Sequence, residues 1–562
     1  MTSRVLVSFL ALSLAPATAW AAQPSLRRAA SRRLHQSPAL PRTPAVSTVV
    51  ERSAAPVLSL RGGVASLDAA ASALAPGTPD GAFNLLFVVL SAACAALVTV
   101  TRERRGAAVD AAPKSVVSLQ RRFLSVFWLF KMADWLQGPY FYEVYASKVL
   151  GGVPVSAQGV ARLFLTGFGS TAVAGAVIGG MLDSLGRKRG SLAFALMYTI
   201  GALSTRCNSL PLLLAGRIAG GVGTALLFSA PEAWLVSEHQ ASGNEGRWLS
   251  QTFGLAYQGD AIVAILAGQL AGAVASRRGP TAPFEASVVF LAAASAIVLA
   301  TWRENFGGEK AAAEAAAPPP PSLEEGEAEA EAEVEAGAAL SSAPDPATEP
   351  AAEPAVKAHR TRRLLWEAVA EMRRDRKLVL LGGVQALFEG AMYVFVLQWP
   401  PALKALIEGG AVPFGKVFSC FMVCCMLGST TFSWLARKLR AEDLMSGMLG
   451  LAFVSMASAA THCGGGLVPL VAAFFAFEGC VGMYFPLIGT LRSKYLPDAY
   501  RGVLMNLYAI PLNLLVVAVF LLIGKLGLVG AFTVSATALG GSFASMLALR
   551  GLARKEQREA DA

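Results

Sequence analysis

Polar and charged side chains interrupt several long apolar stretches of this chain. An ionised group costs roughly 3 to more than 10 kcal/mol at the centre of a bilayer, so it persists there only beside a wet cavity or a partner. Side chains in such positions could bind and release a small polar solute. Any one of them could instead make a structural hydrogen bond between helices. The candidate binding residues are Asp134, Gln137, Tyr140, Arg162, Arg217, Glu232, Trp234, Asp260, Gln385, Glu389 and Tyr484.

Arg217 begins the sequence RIAGGVG inside one of these apolar stretches. Positions 217, 221, 224, 228 and 232 follow helical spacing and therefore share one face. That face carries a cation near one end and Glu232 near the other. We interpret it as lining a cavity. The alternative is that Arg217 snorkels to the membrane surface from a position near the helix end.

A short loop with the sequence GGMLDSLGRK occupies residues 179–188. Gly179 permits close approach of helices, and Gly186 allows the chain to turn. Asp183 is expected at a helix end, where it can accept from a helix N-terminus or an arginine. Arg187 and Lys188 should hold the loop on the cytoplasmic side. These residues predict a gating loop; the alternative is an ordinary basic loop without a gating role.

The elements that must position these residues are membrane-spanning helices. The chain is 54% hydrophobic and only 15% charged, whereas soluble domains keep about a quarter of their residues charged. Stretches of about twenty apolar residues match the hydrocarbon thickness, and lipid requires each to form a helix. The net charge of +10 comes mainly from loops on one predicted side. This is the positive-inside pattern and not a nucleic-acid surface.

Segments outside the apolar stretches differ in composition. Residues 1–61 combine Arg4, an apolar run, small residues and an Arg-rich, nearly acid-free stretch, which predicts a targeting region. It is typical either of a bipartite plastid signal or of an ordinary secretory signal. Residues 307–358 form an acidic Ala/Pro/Glu linker that we expect to be disordered. Residues 359–377 predict a basic surface segment, and 551–562 a soluble tail.

Apolar spans fall into two groups of six after one extra span. The extra N-terminal transmembrane helix is predicted at 82–100, unless that stretch belongs to the targeting region. The N-terminal six-helix bundle, 121–302, has spans at 121–148, 158–184, 189–207, 211–237, 248–275 and 283–302. The C-terminal six-helix bundle, 378–550, has spans at 378–400, 412–436, 443–462, 466–492, 500–525 and 527–550.

The two groups of spans resemble each other in local sequence. LGRK at 185–188 corresponds to LARK at 435–438, and STRC at 204–207 to ATHC at 460–463. Each match could arise by chance, but their common order favours duplication. The predicted fold class is therefore an all-α polytopic membrane protein with two six-helix bundles in pseudo-twofold arrangement, plus one extra N-terminal helix.

Several motifs resemble those of a known family. The loop at 179–188 and the RIAGGVG sequence resemble motifs of the major facilitator superfamily. The sequences ADWLQGPY at 133–140, LLFSAPEAW at 226–234, QALFE at 385–389 and YFP at 484–486 resemble its molybdate-anion transporter family. The resemblance runs from about residue 123 to the last spans, excluding the linker. It implies the major facilitator fold and the import of molybdate, a tetrahedral dianion, by alternating access.

The candidate residues can be matched to an oxyanion. A dianion in a low-dielectric cavity needs cations or hydrogen-bond donors. Arg162 and Arg217 are candidates because a guanidinium fits an oxyanion bidentately, and Gln137, Tyr140 and Trp234 could donate further bonds. The acids that would repel the anion when ionised are Asp134, Glu232, Asp260 and Glu389. We expect them to be protonated during transport or paired with an arginine, which predicts proton coupling.

Other functions stay open as alternatives. These are a proton-coupled carrier of another small solute, such as a sugar, metabolite or drug-like molecule, and a non-transporting membrane receptor on the same fold. An enzyme is not expected, because the chain has no nucleotide loop, nucleophile elbow or paired histidines. We expect no cofactor, no metal site and no nucleic-acid partner. The expected state is a monomer in the lipid bilayer of the plasma membrane, or of the plastid envelope if the bipartite-like signal is used.

Overall fold

The computed structural model describes residues 78–103, 112–306, 366–407, 412–497 and 501–561. The predicted targeting region and acidic linker lie outside the described residues, as do the first residues of the basic segment. Within these ranges the chain is mainly helical. Nine of the described helices are long and apolar enough to cross a membrane.

The first bundle follows α1 (Pro79–Glu103), which covers the predicted extra helix. Its elements are α2 (Lys114–Gln137), a 3-10 turn (Gly138–Tyr140), α3 (Phe141–Ala146), β1 (Val149–Leu150), β2 (Val153–Pro154), α4 (Ala157–Leu185), α5 (Arg187–Ser204), α6 (Leu210–Leu227), α7 (Ala230–Ala241), α8 (Gly246–Arg278) and α9 (Ala282–Thr301). The two strands pair antiparallel, with Val149 opposite Pro154. Gly151 and Gly152 supply the positive φ angles, 58° and 83°, that this tight turn requires.

The second bundle begins after a helical segment at 366–374. Its helices are α10 (Arg376–Leu406), α11 (Phe414–Leu435), α12 (Ala441–His462), α13 (Leu467–Tyr495) and α14 (Arg501–Asp561). Gly527, with a φ of 61°, divides α14 into two helices. The second of these helices continues through the predicted soluble tail.

Local sequence explains several helix boundaries. The Ser156 side chain accepts from the Gly159 N–H at 3.2 Å and so caps α4. The Asp375 carboxylate accepts from the Lys377 N–H at 2.8 Å at the start of α10. Pro231 lies in the first turn of α7, where its missing N–H costs nothing. The chain therefore breaks between α6 and α7, within the span predicted at 211–237.

Both bundles use the same helix pairings. In the first bundle α2 packs on α9 and α4 packs on α6; in the second, α10 packs on α14 and α11 on α13. Between the bundles, α8 packs on α11 and α4 packs on α14. Helix α1 packs on α11 outside the second bundle, where Asp80 pairs with Lys416.

The α4–α5 and α11–α12 connections form what we call the basic end of the molecule, which carries Arg187 and Arg437. Polar contacts between the bundles lie at the opposite end. There the Lys404 Nζ is 2.8 Å from the Glu143 carboxylate, and the Gln158 amide donates to the Leu521 carbonyl of α14 at 3.4 Å. The aromatic contact between Tyr140 and Phe414 joins the bundles at the same end.

Candidate functional site

A cavity of about 120 Å³ lies inside the first bundle, between α2, α5, α6 and α9. Its lining includes three predicted residues, Asp134, Gln137 and Arg217, together with Tyr145 and Tyr198. An acid, a cation and several neutral hydrogen-bonding groups therefore share one space. Such a space can hold water or a small polar group, because several partners are available to it.

The polar groups of this cavity have specific partners. The Tyr198 hydroxyl donates to the Asp134 carboxylate at 2.6 Å and lies 3.0 Å from the Thr224 hydroxyl. The Gln137 amide donates to the Ser287 hydroxyl at 3.1 Å. One neutral donor, Tyr198, thus holds Asp134, and α2 is tied to α5 and α9.

Arg217 has a tight position between α4 and α6. Its Nε donates to the Leu163 carbonyl at 3.2 Å, and its guanidinium lies 4.2 Å from the centre of the Phe141 ring. A Cβ on Gly167 would fall 1.9 Å from the Arg217 Nη2. The guanidinium is therefore held within the bundle, and glycine at 167 makes room for it.

A buried ion pair in the first bundle includes Lys131, which the sequence analysis did not single out. The Lys131 Nζ is 3.6 Å from the Asp260 carboxylate, and the two side chains are 7% and 14% exposed. The Trp135 indole donates to the same carboxylate at 2.7 Å. The Phe228 ring centre lies 4.8 Å from the Lys131 Nζ. Asp260 thus forms an ion pair with one cation and accepts a hydrogen bond from one neutral aromatic donor.

The second bundle contains a similar arrangement around Arg492. The Arg492 Nη2 donates to the Glu389 carboxylate at 3.3 Å, and its Nε donates to the Gln385 amide oxygen at 3.2 Å. The Tyr484 hydroxyl donates to Glu389 at 2.9 Å. The structure therefore brings together three predicted residues, Gln385, Glu389 and Tyr484, around an arginine that was not predicted.

Trp234 and Tyr140 lie apart from these groups. Trp234 is fully buried, stacks on Trp302 at 3.8 Å and donates to the Arg303 carbonyl at 2.8 Å, so it packs α7 against the end of α9. Tyr140 is buried where the bundles meet, edge-to-face with Phe414 at 5.8 Å. Both make packing contacts, and neither lines the cavity.

Glu232 and Arg162 also lie outside the cavity. The Tyr257 hydroxyl donates to Glu232 at 2.7 Å, which links α7 to α8. Arg162 is exposed near the start of α4. The structure thus places neither residue in the lining of the cavity that contains Arg217.

The predicted gating loop connects α4 to α5 at the basic end. Gly179 lies within α4. The Arg187 Nη2 donates to the Asp183 carboxylate at 3.0 Å, one turn away. Gly186 has a φ of 102°, which favours glycine. Among the described residues, these contacts stay within the first bundle.

Glu304, which follows α9, holds the start of α5. Its carboxylate accepts from the backbone N–H of Lys188 at 2.8 Å and of Arg189 at 3.2 Å. The Lys188 Nζ donates to the Trp302 carbonyl at 2.8 Å. An acid at a helix N-terminus satisfies free N–H groups and complements the helix dipole. The loop is therefore fastened to the end of α9.

Sequence reasoning missed Lys131 and Arg492 for different reasons. Lys131 is a basic residue inside an apolar stretch, three residues before Asp134, so its charge was an available signal. Arg492 is the last residue of the span predicted at 466–492, where a basic residue is typical of an interface anchor. Only its contacts with α10 reveal another role.

The fold agrees with known transporters. A profile of the family MFS_5, described as sugar transporters with 12 TM, matches residues 82–317 and 355–482. The peptide transporter POT in complex with sulfate has a TM-score of 0.56 at 15% identity, covering 80% of this chain and 96% of that one. A D-xylose-proton symporter has a TM-score of 0.52 at 13% identity, covering 76% and 96%. The protein is a multi-pass membrane transporter of the major facilitator type and not an enzyme, which confirms the predicted fold class.

Comparison with similar sequences narrows the identification from the major facilitator superfamily to one of its families. A molybdate-anion transporter of Danio rerio is 30% identical over 447 residues, covering 77% of this chain and 85% of that protein. A molybdate-anion transporter of Xenopus tropicalis is 28% identical over 393 residues, covering 68% and 74%. This chain belongs to the molybdate-anion transporter family of the major facilitator superfamily, as its motifs predicted.

Proposed function

We propose that this protein imports molybdate, or a similar tetrahedral oxyanion, across a membrane by alternating access. The assignment of the substrate rests on the relatives of this chain, which are molybdate-anion transporters. One of them is 30% identical to it over 77% of its length. The contacts that join the bundles at one end are of the kind that a carrier makes and breaks when it opens alternately to the two sides. The loop at 179–188 acts as a gate in this proposal.

Proton coupling is the second part of the proposal. Two cations in the membrane-spanning region are each neutralised by a carboxylate, Lys131 by Asp260 and Arg492 by Glu389. An ionised carboxylate beside a bound dianion would repel it, whereas a protonated one would not. Protons should therefore enter with the anion and leave with it.

We also propose that the protein acts as a monomer in the plasma membrane, or in the plastid envelope if its N-terminal signal is used. Residues 1–61 support the second location by their composition. Imaging of the full chain with a C-terminal fluorescent tag distinguishes the two membranes. Retention of a plastid pattern after deletion of 1–61 would argue against the signal.

Uptake of radiolabelled molybdate into proteoliposomes that hold the full chain tests the function. We expect saturable uptake above protein-free liposomes, with excess sulfate as the test of selectivity. An inward-directed proton gradient should accelerate uptake, and a protonophore should remove the acceleration. Uptake no faster than in protein-free liposomes would refute molybdate transport. Uptake indifferent to the proton gradient would refute only the coupling, and binding without flux would favour a receptor.

A second candidate is a proton-coupled carrier of a neutral solute such as a sugar. It is favoured by the family description, which names sugars, and by the neutral donors and aromatic ring that line the cavity with Gln137, Phe141 and Tyr145. Counterflow of labelled hexoses and pentoses in the same proteoliposomes tests it. Sugar counterflow without molybdate uptake would make this the function.

A further inference from the structure

Each bundle holds a cation of the membrane-spanning region against a carboxylate, and an aromatic side chain donates a hydrogen bond to that carboxylate. The groups are Lys131, Asp260 and Trp135 in the first bundle, and Arg492, Glu389 and Tyr484 in the second. The first set comes from α2 and α8, and the second from α10 and α13. The two ion pairs join helices that do not correspond between the bundles. The helix pairing that the bundles share therefore does not by itself explain why the two sets are alike.

Both sets lie beside the place where the bundles touch. Trp135, four residues after Lys131, packs against a phenylalanine ring of α11 with centroids 5.9 Å apart. Tyr393, four residues after Glu389, packs against a phenylalanine ring of α4 at 5.1 Å. Four residues make one helical turn. Each ion pair therefore lies about one turn toward the basic end from a contact that joins the bundles, with one pair in each bundle.

Both ion pairs are largely buried, and each keeps a small exposed fraction. The side chains of Glu389 and Arg492 are 18% and 21% exposed, and those of Asp260 and Lys131 are 14% and 7% exposed. Taking both charges out of water costs several kcal/mol for each ion, so a buried pair is weak evidence for stability. Two such pairs, each beside a contact that joins the bundles, are better explained by an exchange of partners.

We propose that the transported oxyanion binds between the bundles by replacing the carboxylates as the partner of Lys131 and Arg492. The inference rests on the proposed function and names its binding residues. Without the anion, each ion pair is neutral. With a dianion on both cations, the site stays neutral only if Asp260 and Glu389 each take a proton. Hydrogen bonds from Trp135 and Tyr484 hold the released carboxyl groups in place.

The other ionisable groups near these pairs add no further cation among the described residues. Asp134 and Tyr257 lie within electrostatic range of Asp260, and Tyr393 lies within range of Glu389. Arg217 is engaged elsewhere, with the carbonyl of Leu163. Lys131 and Arg492 are thus the two cations that we assign to the anion.

Equilibrium binding of radiolabelled molybdate to the purified full chain tests this assignment. Lys131→Gln and Arg492→Gln remove a cation and should raise the Kd about tenfold or more. Asp260→Asn and Glu389→Gln remove the competing carboxylate; they should lower the Kd and weaken its dependence on pH. A merely structural ion pair would not give opposite effects for its two members.

A matched control is Arg554→Gln, which removes a cation that pairs with Asp443 at 2.9 Å at the basic end; its Kd should equal that of the wild type. Removing both members of a buried pair is tolerated better than removing one. The double variants Lys131→Gln/Asp260→Asn and Arg492→Gln/Glu389→Gln therefore replace any single variant that does not fold.

The outcomes separate this inference from the proposed function. If the wild type binds and transports molybdate but the cation variants, single or double, keep its Kd, the assignment is overturned and the function stands. If the acid variants weaken binding as much as the cation variants, partner exchange is also overturned. If the wild type itself neither binds nor transports molybdate, the proposed function fails.

Discussion

Replacing Gly415 with alanine should force the bundles apart where α8 and α11 touch. Gly268, Gly272 and Gly415 bring these two helices into backbone contact. A Cβ on Gly415 would fall 2.3 Å from the Gly268 carbonyl oxygen and 2.5 Å from the Gly272 amide nitrogen. Both neighbours are helix backbone atoms that cannot rotate away, so the helices themselves must separate.

The size of the effect follows from this geometry. Non-bonded heavy atoms pack best at about 3.5–4.0 Å, so the helices must move apart by about 1 Å. Overpacking of this kind costs about 1–3 kcal/mol. If the bundles rock between two states, only the state with this contact closed bears the cost. The population ratio should then shift by about 5–150-fold toward the state that is closed at the basic end.

Distances between spin labels can measure this shift. Leu185 in the first bundle and Leu439 in the second are 54% and 49% exposed at the basic end. In Gly415→Ala, the labels should populate shorter distances than in the wild type. Gly447→Ala is the control, because a Cβ on Gly447 of α12 meets nothing within 4 Å. An unchanged distance distribution, or an equal change in the control, would refute the reasoning.

Three further predictions concern the first bundle and the coupling. Glu304→Ala removes both acceptors from the start of α5 and should lower stability by about 1–2 kcal/mol, seen as a lower apparent Tm. Glu285→Ala breaks only ion pairs with exposed arginines, at 3.4 and 3.5 Å, and should cost less than about 1 kcal/mol; equal losses would contradict the capping role of Glu304. Arg217→Ala should reduce molybdate uptake by removing the cation of the cavity. Gly167→Ala should reduce uptake to a similar level by displacing the guanidinium, since the new Cβ lies 1.9 Å from the Arg217 Nη2. Gly169→Ala, with no atom within 4 Å, should keep normal uptake, and normal uptake in Gly167→Ala would show that this position of the arginine is dispensable. If one proton accompanies each released carboxylate, uptake should not respond to a membrane potential set with valinomycin and potassium, and a clear response would contradict that charge balance.

The sequence by itself could predict the helices and the family because both depend on local properties. Hydropathy over about twenty residues marks a span, and α10, at Arg376–Leu406, covers the span predicted at 378–400. Glu389 could be singled out in the same way, because an acid inside an apolar stretch can be recognised from the sequence alone. The short motifs around it indicated the molybdate-anion transporter family for a similar reason.

Only the tertiary structure decided which polar residues meet. Asp134 binds Tyr198 of α5, 64 residues away, and Glu389 binds Arg492, 103 residues away. Trp234, a candidate donor by its position, instead stacks on Trp302. Helical periodicity shows which residues share a face but not which neighbouring helix that face contacts. Partners therefore depend on how the helices pack together, and this packing brings Lys131 to Asp260 of α8 and Arg492 to Glu389 of α10.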